Sequence, residues 1–180
     1  LLHFSLQISS FEMNARDLSK WLKQLPNLQS LMLLNSDAGL CDMDMHQVEI
    51  PMLKDLRQLS ILLGSIPAVQ IDMPALPSLT RLSMNCRQIP RTASWLPKLA
   101  GMTSLRSLVW EGHQEELVEV SHFLNPKLEE LRLYVVGCQT GVSSWNQPEY
   151  RLLKEYDAKF WNHMMKLNRL TAFDIGFEIP

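Results

Sequence analysis

Cysteine is scarce in this chain. Cys41, Cys86 and Cys138 are the only three in 180 residues, they form no C-x-x-C pair, and each follows an apolar, strand-like run. Nothing in that spacing builds a disulfide framework or a thiolate metal site, so three reduced structural thiols are expected. Charge of one sign is missing too. Seventeen basic against nineteen acidic residues leave a formal net charge of −2 with no run of either sign, which argues against a nucleic-acid partner held by electrostatics. No apolar run is long enough to cross a bilayer, so no membrane partner is expected, and no asparagine opens an N-x-S/T acceptor. With the unpaired cysteines, these absences point to an intracellular protein of the cytoplasm or nucleus.

The signatures of chemistry are absent as well. There is no G-x-S-x-G, no G-x-x-x-x-G-K-[ST] and no G-x-G-x-x-G. His3, His46, His113, His122 and His163 are scattered, and none forms H-E-x-x-H or another ligand pair at metal spacing. Asp37, Asp42, Asp44 and Glu49 crowd one loop, yet no frame there has the glycine and terminal glutamate of a calcium loop. Cys41 sits beside Asp42 and Asp44, carboxylates that raise a thiol pKa and so disfavour a nucleophilic cysteine. The expectation is a protein that is not an enzyme and holds no metal or cofactor.

What the sequence has is a leucine frame. In LPNLQSLML the apolar residues Leu25, Leu28, Leu31 and Leu33 are spaced three, three and two apart, and the frame returns as Leu53, Leu56, Leu59, Ile61 and as Leu76, Leu79, Leu82, Met84. It returns again as Met102, Leu105, Leu108, Trp110, as Leu128, Leu131, Leu133, and as Leu167, Leu170, Phe173, Ile175. Leu6 and Ile8 read as the last half of an earlier copy. The third apolar position then falls at residues 6, 31, 59, 82, 108, 131 and 173, giving steps of 25, 28, 23, 26, 23 and 42.

All but the last step lie within the period of about 20–29 residues of leucine-rich repeats, and the chain resembles that family. The resemblance covers nearly the whole of residues 1–180. It implies an α/β fold: one leucine-rich repeat solenoid, with a curved parallel sheet on the concave side and helices and irregular loops on the convex side. Because the chain opens within one strand-like run and closes directly after another, it is expected to be a fragment of a longer solenoid, since such proteins need polar terminal caps.

Between the strands, residues 14–24 place Ala15, Leu18, Trp21 and Leu22 on one helical face, with Asn14 as N-cap. Val48-Glu49-Ile50 alternates like an extended segment within a loop, and Pro67 and Pro74 predict an irregular stretch over residues 64–75. Residues 94–102 read as a short helix capped by Ser94, and residues 115–124 as a clearer helix stopped by Asn125-Pro126. The long last interval holds an insertion at about residues 137–166, a loop followed by a helix over 149–166. That helix has a broad face containing Leu153, Phe160, Met164 and Leu167, with Trp161 beside it, and is expected to pack on the edge of the solenoid, the alternative being a partner-binding aromatic face.

Strand alternation predicts the surface as well as the core, because residues between the core leucines face the other way. The concave triplets are then Ser5, Gln7, Ser9; Ser30, Met32, Leu34; Gln58, Ser60, Leu62; Arg81, Ser83, Asn85; Ser107, Val109, Glu111; Glu130, Arg132, Tyr134; and Ala172, Asp174, Gly176. One end is neutral, with Met32, Leu34 and Leu62. The other carries Arg81, Glu111, Glu130, Arg132, Tyr134 and Asp174, and its arginine and tyrosine are residue types that dominate protein interfaces. These six are the candidate partner-binding residues.

The regular extracellular repeat has asparagine five residues after the strand's first core leucine, where this chain has Ser36, Gly64, Arg87, His113, Val136 and Glu178. With uneven repeat lengths, that departure resembles the irregular cytosolic type, found in the recognition domains of F-box proteins and in nucleotide-binding immune receptors. The resemblance implies a protein–protein interaction module, foremost a substrate-recognition adaptor for ubiquitin ligation. The alternatives are a ligand-sensing domain of an immune or signalling receptor and a structural module within a larger assembly.

Overall fold

A computed structural model describes residues 2–7, 15–34, 47–62, 70–85, 95–113, 119–136 and 158–178. The leucine-bearing runs form a single seven-stranded parallel sheet: β1 (His3–Gln7), β2 (Ser30–Leu34), β4 (Gln58–Leu62), β6 (Arg81–Asn85), β7 (Ser107–His113), β8 (Glu130–Val136) and β9 (Ala172–Glu178). Their spatial order is their order along the chain. Between them, the described segments of the chain pack against one side of the sheet. There it forms helix α1 (Ala15–Lys23), a 3₁₀ helix (Leu96–Gly101), helical segments at 119–122 and 158–164, and the short strands β3 (Gln47–Glu49) and β5 (Gln70–Asp72), which pair in parallel. The protein is thus α/β, with few helices beside its parallel sheet.

Register follows from the leucine frame. Leu31, Leu59, Leu82, Leu108 and Leu131 are direct partners across consecutive strands, and so are Leu33, Ile61, Met84, Trp110 and Leu133. All ten are buried. A one-residue slip of any strand would turn its leucines to the opposite face, so burial of this face specifies the pairing. On the same side Leu18 and Leu22 of α1, Val48, Ile71, Leu96, Leu99, Val120 and Met164 complete one continuous core.

The start of each strand is fastened by a recurring backbone arrangement. Leu2 O accepts hydrogen bonds from both Gln29 N and Ser30 N, at 2.8 and 3.0 Å. Gln29 O does the same for Arg57 and Gln58, Arg57 O for Thr80 and Arg81, Thr80 O for Arg106 and Ser107, Arg106 O for Glu129 and Glu130, and Glu129 O for Thr171 and Ala172. Two of these carbonyls take a third donor, Thr80 Oγ1 on Arg57 O at 2.9 Å and Thr171 Oγ1 on Glu129 O at 3.0 Å.

The structure departs from the sequence reading in particular places. In the first strand Phe4, not Leu6, is the partner of Leu31, so the first step is 27 residues and not 25, and the outward triplet begins at His3 rather than Ser5. Phe4 is held there by Trp21 of α1, with ring centroids 4.3 Å apart. Residues 70–72, expected to be irregular, are a strand because Ile50 N and the β3 register give them a partner. The short helix over 94–102 is a 3₁₀ helix whose N-cap is Trp95, with no side-chain cap, and the proposed cap Ser94 lies outside the described residues, as does Asn14. Of the two later helices, residues 119–122 and 158–164 are helical, while 115–118 and 149–157 also lie outside them. Phe173 occupies the leucine row in register with Leu131 but is 40% exposed, because among the described residues no strand lies beyond β9.

Candidate functional site

Among the described residues nothing covers the face of the sheet away from the helices, and it displays three rows of side chains. Reading from β2 to β9, the first row runs Ser30, Gln58, Arg81, Ser107, Glu130, Ala172 and the second Met32, Ser60, Ser83, Val109, Arg132, Asp174. The third is Leu34, Leu62, Asn85, Glu111, Tyr134, Gly176. Six of the seven triplets expected from the sequence stand in these rows, and the two-residue slip in β1 shifts the remaining one.

Five of the six candidate residues come together on β7, β8 and β9. Glu111 is in register with Tyr134, Arg132 with Asp174, and Glu130 with Ser107. Arg81 is in the same row as Glu130 but two strands away, with Ser107 between, roughly 10 Å at the spacing of a parallel sheet.

The charged groups are partnered within β8 and across to the neighbouring strands. Arg132 Nη2 lies 2.8 Å from Glu130 Oε1, while Ser107 Oγ donates to Glu130 Oε2 at 2.7 Å. The Ser107 hydrogen bond is the main reason that the Glu130 carboxyl sits below its ordinary pKa; burial opposes it, and the nearby charges of Arg132 and Arg81 add to it. Asn85 Nδ2 donates to Glu111 Oε2 at 2.9 Å. Tyr134 OH donates to Asp174 Oδ2 at 3.4 Å, a long contact on an exposed surface.

Tyr134 is placed by its neighbour on β9. A Cβ added at Gly176 would stand 2.8 Å from Tyr134 Cδ1 and 3.2 Å from Cε1, so the phenol ring lies over bare backbone. Any larger residue at 176 would lift it. Toward β2 the face becomes apolar, with Met32 exposed and Leu34, Leu62 and Val109 half-buried. The whole strip thus offers a guanidinium fork, a phenol and carboxylates at one end, and a thioether with branched aliphatics at the other.

Sequence spacing missed two groupings. His122 and His163 are 41 residues apart, a separation with no helical or metal-site meaning, yet their rings stack at 4.2 Å with a 34° tilt. His163 Nδ1 lies 2.7 Å from Lys159 O; a carbonyl can only accept, so Nδ1 carries the proton. Burial, then the charges of His163, Lys159 and Lys166, push the His122 pKa down against the opposing pull of Glu119. The second grouping is Trp161 with Phe173, edge to face at 6.3 Å, beside Phe160. Among the described residues no three His, Cys, Asp or Glu side chains converge on a metal-sized site, and no helix is long and apolar enough to cross a membrane. No protein-family model matches this chain, and no curated protein is significantly similar to it.

Proposed function

We propose that the chain is a leucine-rich repeat solenoid that binds another protein across the open face of its sheet, with no chemistry of its own. The observation that carries this reading is the register of the outward rows. Because every strand starts in the same frame, Glu111 with Tyr134 and Arg132 with Asp174 are cross-strand neighbours, and with Glu130 they form one continuous patch. A partner covering β6 to β9 would span roughly 15 Å across the strands. Its own polar groups would exchange with the Glu130–Arg132 pair, and an aromatic or aliphatic side chain would rest on the Tyr134 ring. The preferred cellular role is substrate recognition for ubiquitin ligation. Its support is resemblance alone: LPNLQSLML and KLEELRL are similar to repeats of the irregular cytosolic type, found in F-box proteins and in nucleotide-binding immune receptors alike.

Arg132 is exposed and Tyr134 half-buried on the open face, so replacing both leaves the leucine rows intact. The double substitution Arg132→Ala with Tyr134→Ala is expected to shift stability by less than about 0.5 kcal/mol and to weaken a protein partner captured from cells by more than about 1 kcal/mol. Undiminished affinity of the folded double variant for that partner refutes the assignment of the strip.

A further inference from the structure

We infer that the protein partner of the open face presents an acidic segment, two of whose carboxylates are bound by Arg57 and Arg81 where β4 and β6 begin. This names a class of partner and rests on the proposed use of the open face, although its two arginines stand beside the patch of Glu130, Arg132 and Tyr134 and not within it.

The backbone brings the two arginines together. Arg57 O accepts a hydrogen bond from Arg81 N at 3.0 Å, and others from Thr80 N at 2.8 Å and Thr80 Oγ1 at 2.9 Å. Three donors on one oxygen fix Arg57 at the foot of β4, and Arg81 is in register with Gln58, the next residue. Both side chains therefore start from adjacent, firmly held backbone. β4 and β6 are the third and fourth of seven strands, with β2 and β7 on their outer sides. The turns that lead into them, residues 50–57 and 73–80, are described throughout. The pair thus lies inside the sheet, away from both outer strands.

Charge selects the occupant. Arg132 is held by Glu130 at 2.8 Å, and Arg106 by Glu129 at 3.5 Å and by the carbonyls of Thr103 and Leu105. Arg57 and Arg81 are exposed, and among the described residues no carboxylate pairs with either. The charge of Arg81 reaches Glu130, but Arg132 and Ser107 already occupy that carboxylate's two oxygens. The result is two like charges on neighbouring strands in a chain whose formal net charge is −2. Like charges so placed repel, and carboxylates bound between them would replace the repulsion with charge-assisted hydrogen bonds to both guanidinium forks. Acidic residues at alternate positions of an extended segment stand about 7 Å apart on one side, a span that arginines rooted about 5 Å apart can reach. Gln58, exposed between them, adds an amide donor.

The test is a titration of the whole chain with the synthetic peptide acetyl-Ser-Glu-Thr-Glu-Thr-Ser-amide, followed by nitrogen-15 nuclear magnetic resonance. The Nε–H signals of Arg57 and Arg81 should shift saturably while those of Arg132 and Arg169 stay in place, and the same peptide with glutamine for both glutamates should shift neither. Arg57→Gln with Arg81→Gln should weaken binding at least about tenfold, as read from the backbone amides of Gln58 and Ser107. Thermal melts establish that the variant is folded, and Arg81→Gln alone repeats the test with a smaller change. Arg132→Ala with Tyr134→Ala should bind the peptide as the parent does, so this inference and the assignment of the strip fail separately. No saturable shift, an equal shift at Arg169, an equal response to the glutamine peptide, or unchanged affinity of the Arg57/Arg81 variant each overturns the inference. Loss of binding in the Arg132/Tyr134 variant would place the acidic segment on Arg132 and overturn it as well.

Discussion

Leu82→Ala and Phe173→Ala change the same row of the sheet and should have very different costs. Leu82 is 1% exposed and sits in register between Leu59 and Leu108, both buried. Truncation removes the equivalent of three methylene groups, about 2.4 kcal/mol of transfer free energy at about 0.8 per group. The neighbours on either side are fixed by the strand ladder, so the site cannot collapse, and a residual cavity of about 60 Å³ adds about 1.5 kcal/mol. A loss near 4 kcal/mol is expected, a large part of the roughly 5–15 kcal/mol that holds a domain folded. Phe173 is 40% exposed with no strand beyond it among the described residues, so Phe173→Ala opens no enclosed cavity and should cost less than about half the 3–5 kcal/mol of a buried phenylalanine. Urea unfolding followed by far-ultraviolet circular dichroism measures both, with unchanged m-values showing that the midpoint shift reports stability. If Leu82→Ala costs under about 1 kcal/mol, or if the two substitutions cost the same, the row is not a shared core and the account of its packing is wrong.

Other consequences are as direct. Gly176→Ala should push the Tyr134 ring off β9, since the added Cβ would lie 2.8 Å from Cδ1; nuclear magnetic resonance should show the Tyr134 ring signals shifting while the Leu131 and Leu133 methyls stay in place. Among the described residues the Trp95 indole N–H is buried without a hydrogen-bond acceptor, a penalty of about 1–3 kcal/mol. Trp95→Phe removes that penalty while losing volume, so its melting temperature should remain close to that of the parent, and a drop as large as that of Leu82→Ala would show the indole N–H to be satisfied. His122 has its pKa below the ordinary 6.5 through burial and the charges of His163, Lys159 and Lys166. The unfolded chain therefore takes up the proton first, and stability is full above about pH 6.5 and declines as pH falls from there toward the folded value. His163→Asn should flatten that decline in a series of thermal melts between pH 7.5 and 5, and an unaltered slope would refute the coupling. Ser107→Ala should raise the Glu130 pKa, whose depression rests first on that hydroxyl, as a carbon-13 carboxyl titration would register.

The strand frame was readable because burial of one sheet face demands leucine-like residues at fixed alternate positions, and the same alternation placed Arg132, Tyr134 and Asp174 on the open face. It failed in β1, where an aromatic serves as the core residue. Phe4 does not look like the leucine it replaces, and only the Trp21 ring from α1 shows why it is there. Phe173 fitted the pattern but not the environment: spacing reports which face a residue takes, whereas exposure depends on what lies beside the strand. The His122–His163 stack comes from two segments brought together by packing behind the sheet, with no local signal in either. β5 was hidden by the prolines around it, which mark the ends of a three-residue strand and leave Gln70–Asp72 free to pair with β3.

The doubly accepting carbonyls at the strand starts bear on how such a chain can vary. They fix where each strand begins without reference to the length of what precedes it: 23 residues separate the starts of β4 and β6, and 42 separate those of β8 and β9, yet both pairs are joined by the same two N–H groups on one oxygen. Insertions on the helical side are therefore absorbed before the next strand is reached, and the outward rows stay in step. Natural variation can lengthen or shorten the back of the molecule without redrawing its face, and it can change residues on the face without loosening the back. Two properties that compete for the same residues in most small domains, staying folded and acquiring a new partner, are here open to change independently.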